Sequence, residues 1–89
     1  MFQVEWLGTA LDDLSGIWLQ ADSELRAAVV SATNEIDRRL AADAHGEGEQ
    51  RPGRQRFTFV APLSVIFRVE EDDRTVTVSH VRLYGRRLP

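Results

Sequence analysis

Residues 56–84 read RFTFVAPLSVIFRVEEDDRTVTVSHVRLY, and this stretch decides the fold. Three apolar runs alternate with polar residues. Two turn signals divide them, Ala61-Pro62 and then Glu71-Asp72-Asp73-Arg74. Alternation with period two, bounded by such breaks, predicts an antiparallel three-strand meander. Each strand carries an arginine: Arg56, Arg68 and Arg82. A sheet with one apolar face must bury it against another layer. The upstream residues are therefore expected to supply helical cover.

The register can be argued from the apolar positions. A three-residue connection over residues 61–63 sets Val60 opposite Ser64, Phe59 opposite Val65 and Phe57 opposite Phe67. Arg56 then falls opposite Arg68 on the other face. A two-residue connection pairs Phe57 with Ile66 and mixes the faces, because a one-residue slip inverts a strand. The first register is expected for that reason. Directly opposed arginines repel, so a nearby Glu70 or an anionic ligand should offset the cost.

The last strand holds a conflict. Val76 and Val78 belong in the core, but the same parity sends His80, Arg82 and Tyr84 inward and Val81 and Leu83 into water. Burying a valine and a leucine is worth about 1.5–3 kcal/mol each. Burying Arg82 unpaired costs several kcal/mol. A β-bulge near Ser79 or His80 resolves the conflict, since one extra residue shifts the parity. His80, Arg82 and Tyr84 then join Arg56 and Arg68 on the open face.

Upstream, Phe2, Val4 and Trp6 alternate with polar residues and predict a short first strand ended by Gly8. Thr9 and Asp12 resemble a capping box. They open a helix over residues 9–19 with Asp12 and Asp13 in its first turn, where the dipole favours acids. Its apolar stripe is Leu11, Leu14, Ile17 and Trp18. Asp22 or Ser23 caps a second helix over residues 23–44, striped by Leu25, Val29, Ala32, Ile36 and Leu40. The hairpin is expected to pack on one sheet face. Residues 45–53 carry three glycines and a proline and read as a loop. The fold class is α+β: N-terminal strand, helical hairpin, three-strand antiparallel meander. All of residues 1–89 form a single domain.

Composition narrows the function. With 89 residues the core is modest, and with no cysteine there is neither a disulfide nor a thiolate metal site. No run reaches membrane-span length and no leader is apparent, so a cytoplasmic location without membrane association is expected. Every basic residue apart from the histidines is arginine, the side chain suited to bidentate contact with phosphate or carboxylate. The net charge of −3 is unevenly spread: ten acids against three arginines in residues 1–50 give −7, and eight arginines against four acids in residues 51–89 give +4. A basic sheet half can face nucleic acid or an acidic partner.

Arginine, histidine and tyrosine converging on one face are the parts of a metal-free ribonuclease. Cleavage through the RNA's own 2′-hydroxyl needs a proton removed, a charged phosphate stabilised and a leaving oxygen protonated. Arginine serves the second need. Histidine is the side chain best tuned for the first or third near neutral pH, with tyrosine a weaker donor. The candidate catalytic set is Arg56, Arg68, His80, Arg82 and Tyr84. Arg51, Arg54, Arg86 and Arg87 are candidate nucleic-acid contacts. No cofactor or metal is expected.

The order strand, helical hairpin and meander resembles the RelE/ParE superfamily of toxins from type II toxin–antitoxin modules. The resemblance is carried by Pro62-Leu63-Ser64-Val65-Ile66-Phe67-Arg68-Val69, by Asp73-Arg74 and by Val76-Thr77-Val78-Ser79-His80-Val81. The tail Leu83-Tyr84-Gly85-Arg86-Arg87 is similar to a ParE-like ending. The resemblance implies a bacterial, growth-inhibiting toxin whose partner is a cognate antitoxin, through an acidic or amphipathic segment. RelE-like members are ribosome-dependent mRNA endonucleases (mRNA interferases). ParE-like members poison DNA gyrase by binding. Arg68 matches the third-strand arginine of the nuclease branch, and Arg54 or Arg56 stands where that branch carries basic residues. Ribosome and mRNA are the expected targets, with gyrase or a non-catalytic role as the alternatives.

Overall fold

In a computed structural model that describes residues 1–50 and 54–84, the chain runs β1 (Gln3–Trp6), α1 (Gly8–Gln20) and α2 (Ser23–Asp43). A 3₁₀ turn (Ala44–Gly46) leads to β2 (Glu49–Gln50), β3 (Gln55–Val60), β4 (Leu63–Glu70) and β5 (Thr75–Leu83). The strands form one sheet in the order β1-β5-β4-β3-β2. β1 lies parallel to β5, and the other pairs are antiparallel. The strand, hairpin and meander appear as the alternation requires, with β2 added inside the expected loop. Gly48 makes β2 possible: its φ is +70°, and a Cβ there would sit 1.9 Å from the Phe57 carbonyl oxygen. Only glycine fits such an approach.

The core lies between α2 and the sheet. Val29, Ala32, Ile36 and Leu40 are buried along the expected stripe, against Leu63, Val65, Phe67, Val76, Val78 and Val81. Asp22 caps α2 by accepting from the Leu25 amide at 2.8 Å. On its outer side, Glu35 accepts from Arg38 and from Arg39 Nε at 2.8 Å. Those bonds, Arg38's first, hold the Glu35 carboxyl down at about 2 from the usual 4.5.

Helix α1 departs from expectation. It begins at Gly8, its N-cap is Leu7 with no side-chain cap, and no acid lies in its first turn. Thr9 does not close a capping box; its hydroxyl donates to the Ser79 carbonyl at 2.7 Å. The helix is also rotated. Ala10 is fully buried, and Leu14 and Ile17 pack on the core, but Leu11 and Trp18 are 51% and 39% exposed. The small Ala10 side chain lets α1 settle against β5, which turns Leu11 and Trp18 outward.

The β3–β4 register is the two-residue one. Ala61-Pro62, joined by a cis peptide bond, makes the turn, so Val60 pairs with Leu63, Phe57 with Ile66 and Phe59 with Ser64. Arg56 therefore opposes Phe67, and Gln55 opposes Arg68. Among the described residues no arginine pair faces across the strands. The polar side of β3 turns toward the helices, where acceptors of the 3₁₀ turn and its exit meet its donors. Arg56 donates to the carbonyls of His45 (2.8 Å), Glu47 (3.3 Å) and Gly48 (3.4 Å). Thr58 donates to Glu47 Oε2 at 3.2 Å.

Candidate functional site

The bulge is present. Ile66 pairs with His80 and Phe67 with Val78, leaving Ser79 as the extra residue of β5. Val76, Val78 and Val81 are buried as the parity argument requires. His80 and Arg82 oppose Ile66 and Ser64, so they share the open face with Arg68. Arg82 lies two residues from His80 along the strand, about 6.6 Å. Arg68, opposite Thr77, stands beyond His80 on the other side.

Backbone supply explains why the bulge sits here. β1 pairs with β5 only from Thr75 to Val78, so the outer edge of β5 beyond that point needs other partners. Leu7 N–H donates to the Val78 carbonyl at 2.9 Å. Thr9 serves Ser79, and the Val81 N–H donates to Asp13 Oδ2 at 3.0 Å. The helix thus closes the edge with side chains, which spares an unpaired backbone group its desolvation cost. The Ser79 hydroxyl donates to the Ile66 carbonyl at 3.3 Å and ties the bulge to β4.

Between α1 and this end of β5 lies a cleft of about 720 Å³, bordered by Asp13, Gln20, Ile66, His80 and Arg82. His80 Nδ1 is 3.5 Å from Asp13 Oδ2, and both side chains are part-exposed. Arg68 is half-exposed with Nη1 3.9 Å from Glu70 Oε2, the nearby acid anticipated for it. Its hollow is shared with Gln55, Thr77 and Ser79. Such an exposed pair is worth little and leaves the guanidinium available to an anion.

The remaining candidates separate. Arg56 is taken up by loop carbonyls on the helix side, so its assignment to the open-face set is corrected. Tyr84 is exposed and meets Phe59 edge-on, with centroids 5.0 Å apart at 71°. It lies four residues from His80, about 13 Å along a strand, and its N–H donates to the Pro62 carbonyl at 2.7 Å. Arg54, at φ 68°, borders a separate hollow with His45, Glu70 and Glu71. Arg51, Arg86 and Arg87 lie outside the described residues. Among the described residues no group of three or more side chains is arranged to hold a metal ion, and no helix is long and apolar enough to cross a membrane.

Asp13 and the two phenylalanines escaped the sequence reading. Asp13 looked like a dipole acid, and its strand partner lies 68 residues away. The expected register sets Phe57 and Phe59 opposite the core residues Phe67 and Val65; the observed one puts them on the open face beside Ile66.

No family profile matches the sequence, and no curated protein matches it. Solved structures do. The RelBE2 toxin–antitoxin complex of Mycobacterium tuberculosis contains a chain 20% identical, with TM-score 0.70 over 92% of this chain and 96% of that one. The chromosomal ParDE toxin–antitoxin system of Pseudomonas aeruginosa gives 19% identity and TM-score 0.72 over 96% and 98%. The isolated RelE toxin of Escherichia coli gives 14% and 0.62 over 98% and 88%.

Proposed function

From the RelE/ParE-like fold of this chain, we propose that it is the toxin of a type II toxin–antitoxin pair and cleaves mRNA on the ribosome. The carrying observation is the Ser79 bulge, which turns His80 and Arg82 onto the face of Arg68. On this reading His80 takes the proton of a ribose 2′-hydroxyl, and the freed oxygen bonds to phosphorus. The bond from phosphorus to the 5′-oxygen breaks with its electron pair, and that oxygen takes a proton from water. The products are a 2′,3′-cyclic phosphate and a 5′-hydroxyl. Arg82 and Arg68 stabilise the charge that grows on phosphate. Tyr84, too far along the strand to share one phosphate with His80, stacks a base beside Phe59 rather than moving the proton.

The antitoxin contact is assigned to the helical hairpin. Leu11, Trp18, Leu19 and Val30 border a groove of about 430 Å³ and are all exposed. That is an apolar surface with a purpose, suited to the apolar stripe of an amphipathic segment. The net −7 of residues 1–50 favours basic flanks on such a segment, so an acidic strap across the sheet face is the weaker arrangement.

The net charge of −3 favours a second reading, a ParE-like poison of DNA gyrase that acts by binding alone. Two assays run side by side separate the readings. Cuts mapped in mRNA on translating ribosomes support the first; lost gyrase supercoiling with intact mRNA supports the second.

A further inference from the structure

We propose that Asp13 is a positioning residue for His80: its carboxylate, anchored on the bulged edge of β5, keeps the imidazole proton on Nδ1 and leaves the lone pair on Nε2. The inference rests on the ribonuclease reading for its consequence, but its geometry stands without it. One oxygen, Asp13 Oδ2, serves two consecutive residues of β5. It accepts from the Val81 backbone N–H at 3.0 Å and lies 3.5 Å from His80 Nδ1. The backbone bond fixes the carboxylate on the strand, so the imidazole meets a placed acceptor rather than a mobile one.

The helix holds the arrangement at a second point. Thr9 and Asp13 are four residues apart, on one face of α1 and about 6 Å apart along it. Their partners Ser79 and Val81 are two residues apart on β5, about 6.6 Å. The two spacings match, so Thr9 and Asp13 grip the strand edge together, one turn apart. The bulge therefore does two things: it turns His80 to the open face and sets its Nδ1 against the helix.

A neutral imidazole has one N–H and one lone pair. The nitrogen that faces a carboxylate keeps the proton, and the other becomes the acceptor. Nε2 is then the atom that takes the 2′-hydroxyl proton, and the imidazolium that results is stabilised by Asp13.

Asp13→Ala is the decisive variant, because it removes the one oxygen that faces both Val81 N–H and His80 Nδ1, so nothing on α1 holds the proton on Nδ1. The tautomer is read directly from ¹⁵N shifts of the imidazole in the full chain, assigned by comparison with His80→Asn. The expected result is Nδ1–H in the native protein and, with that acceptor gone, mainly Nε2–H in Asp13→Ala. Nε2–H in the native protein, or no change in the variant, overturns the proposal.

Cleavage provides the second readout. Asp13→Ala should slow it about 10²-fold, with no further loss when added to His80→Ala. An equal loss in both backgrounds also overturns the proposal. A native protein that cuts no RNA removes the ribonuclease reading, while the tautomer still decides the positioning role.

Discussion

The two halves of β5 solve the same problem differently. From Thr75 to Val78 the strand has a neighbour on each side, β1 and β4, and its valines are fully buried. From Ser79 to Leu83 it has β4 alone as a strand neighbour, and a helix closes the other edge with a threonine hydroxyl and a carboxylate. The first half is held by a continuous ladder that leaves its outward residues, Thr75 and Thr77, chemically quiet. The second half trades ladder bonds for side-chain bonds. That exchange allows an extra residue, and with it a histidine and an arginine on the open face. Irregular pairing is thus placed where chemistry is proposed, a common use of bulges.

Inserting one alanine after His80 should break the bulged half and have the largest effect. The added residue would reverse the parity beyond it, expose Val81 and Leu83, a loss of about 3–6 kcal/mol for the two side chains, and turn Arg82 toward the helices. Chemical denaturation should show a protein that is unfolded or nearly so; a midpoint near the native one would mean that the facing of residues 81–83 is incidental.

Thr9→Val probes the bulged half alone. It leaves the Ser79 carbonyl short of one donor, so stability should fall by about 0.5–1.5 kcal/mol. Amide exchange should speed up at residues 79–83 and stay slow at Val76 and Val78. Uniform acceleration along β5 would erase the distinction between the halves.

Arg68→Ala and Arg82→Ala should each change stability by no more than about 0.5 kcal/mol, since both side chains reach solvent. A larger fall in thermal midpoint would assign these arginines to the scaffold.

The smallest effect lies away from β5, on the outer side of α2. The Glu35 carboxyl is held down at about 2 by hydrogen bonds from Arg38 and Arg39. A depressed carboxyl stabilises the fold above its ordinary value of 4.5, and the contribution fades as pH falls from there toward 2. Glu35→Gln should therefore flatten the stability–pH curve slightly in that window only, and less so at high salt. An equal change at pH 7 and pH 2 would contradict the pairing.

Much of this contrast was legible in the residues. Val76 and Val78 against Val81 and Leu83 demanded a change of parity, and no arrangement without a bulge buries all four. The stripe of α2 and its Asp22 cap follow from local spacing. The β3–β4 register did not follow, because burying Phe57 and Phe59 looked more favourable than burying Arg56. The competing term was invisible: the carbonyls that Arg56 satisfies belong to a turn whose conformation no residue pattern announces. The rotation of α1 was hidden for a related reason. Leu11 and Trp18 have the right spacing for a core stripe, but the helix is set by Ala10, Thr9 and Asp13 against a strand edge far along the chain. Arg68, His80 and Arg82 could be grouped by parity alone. Asp13 could not, since only the folded chain brings it to His80.

The most direct test of the central claim, that the face of Arg68, His80 and Arg82 cleaves RNA, is mRNA cleavage on translating ribosomes by the native protein and the Arg68→Ala/Arg82→Ala double variant. The native chain should cut within the message, and the double variant, with an unchanged thermal midpoint, should cut at least about 10²-fold more slowly. Cleavage by the double variant at the native rate, or no cleavage by either protein, would contradict it.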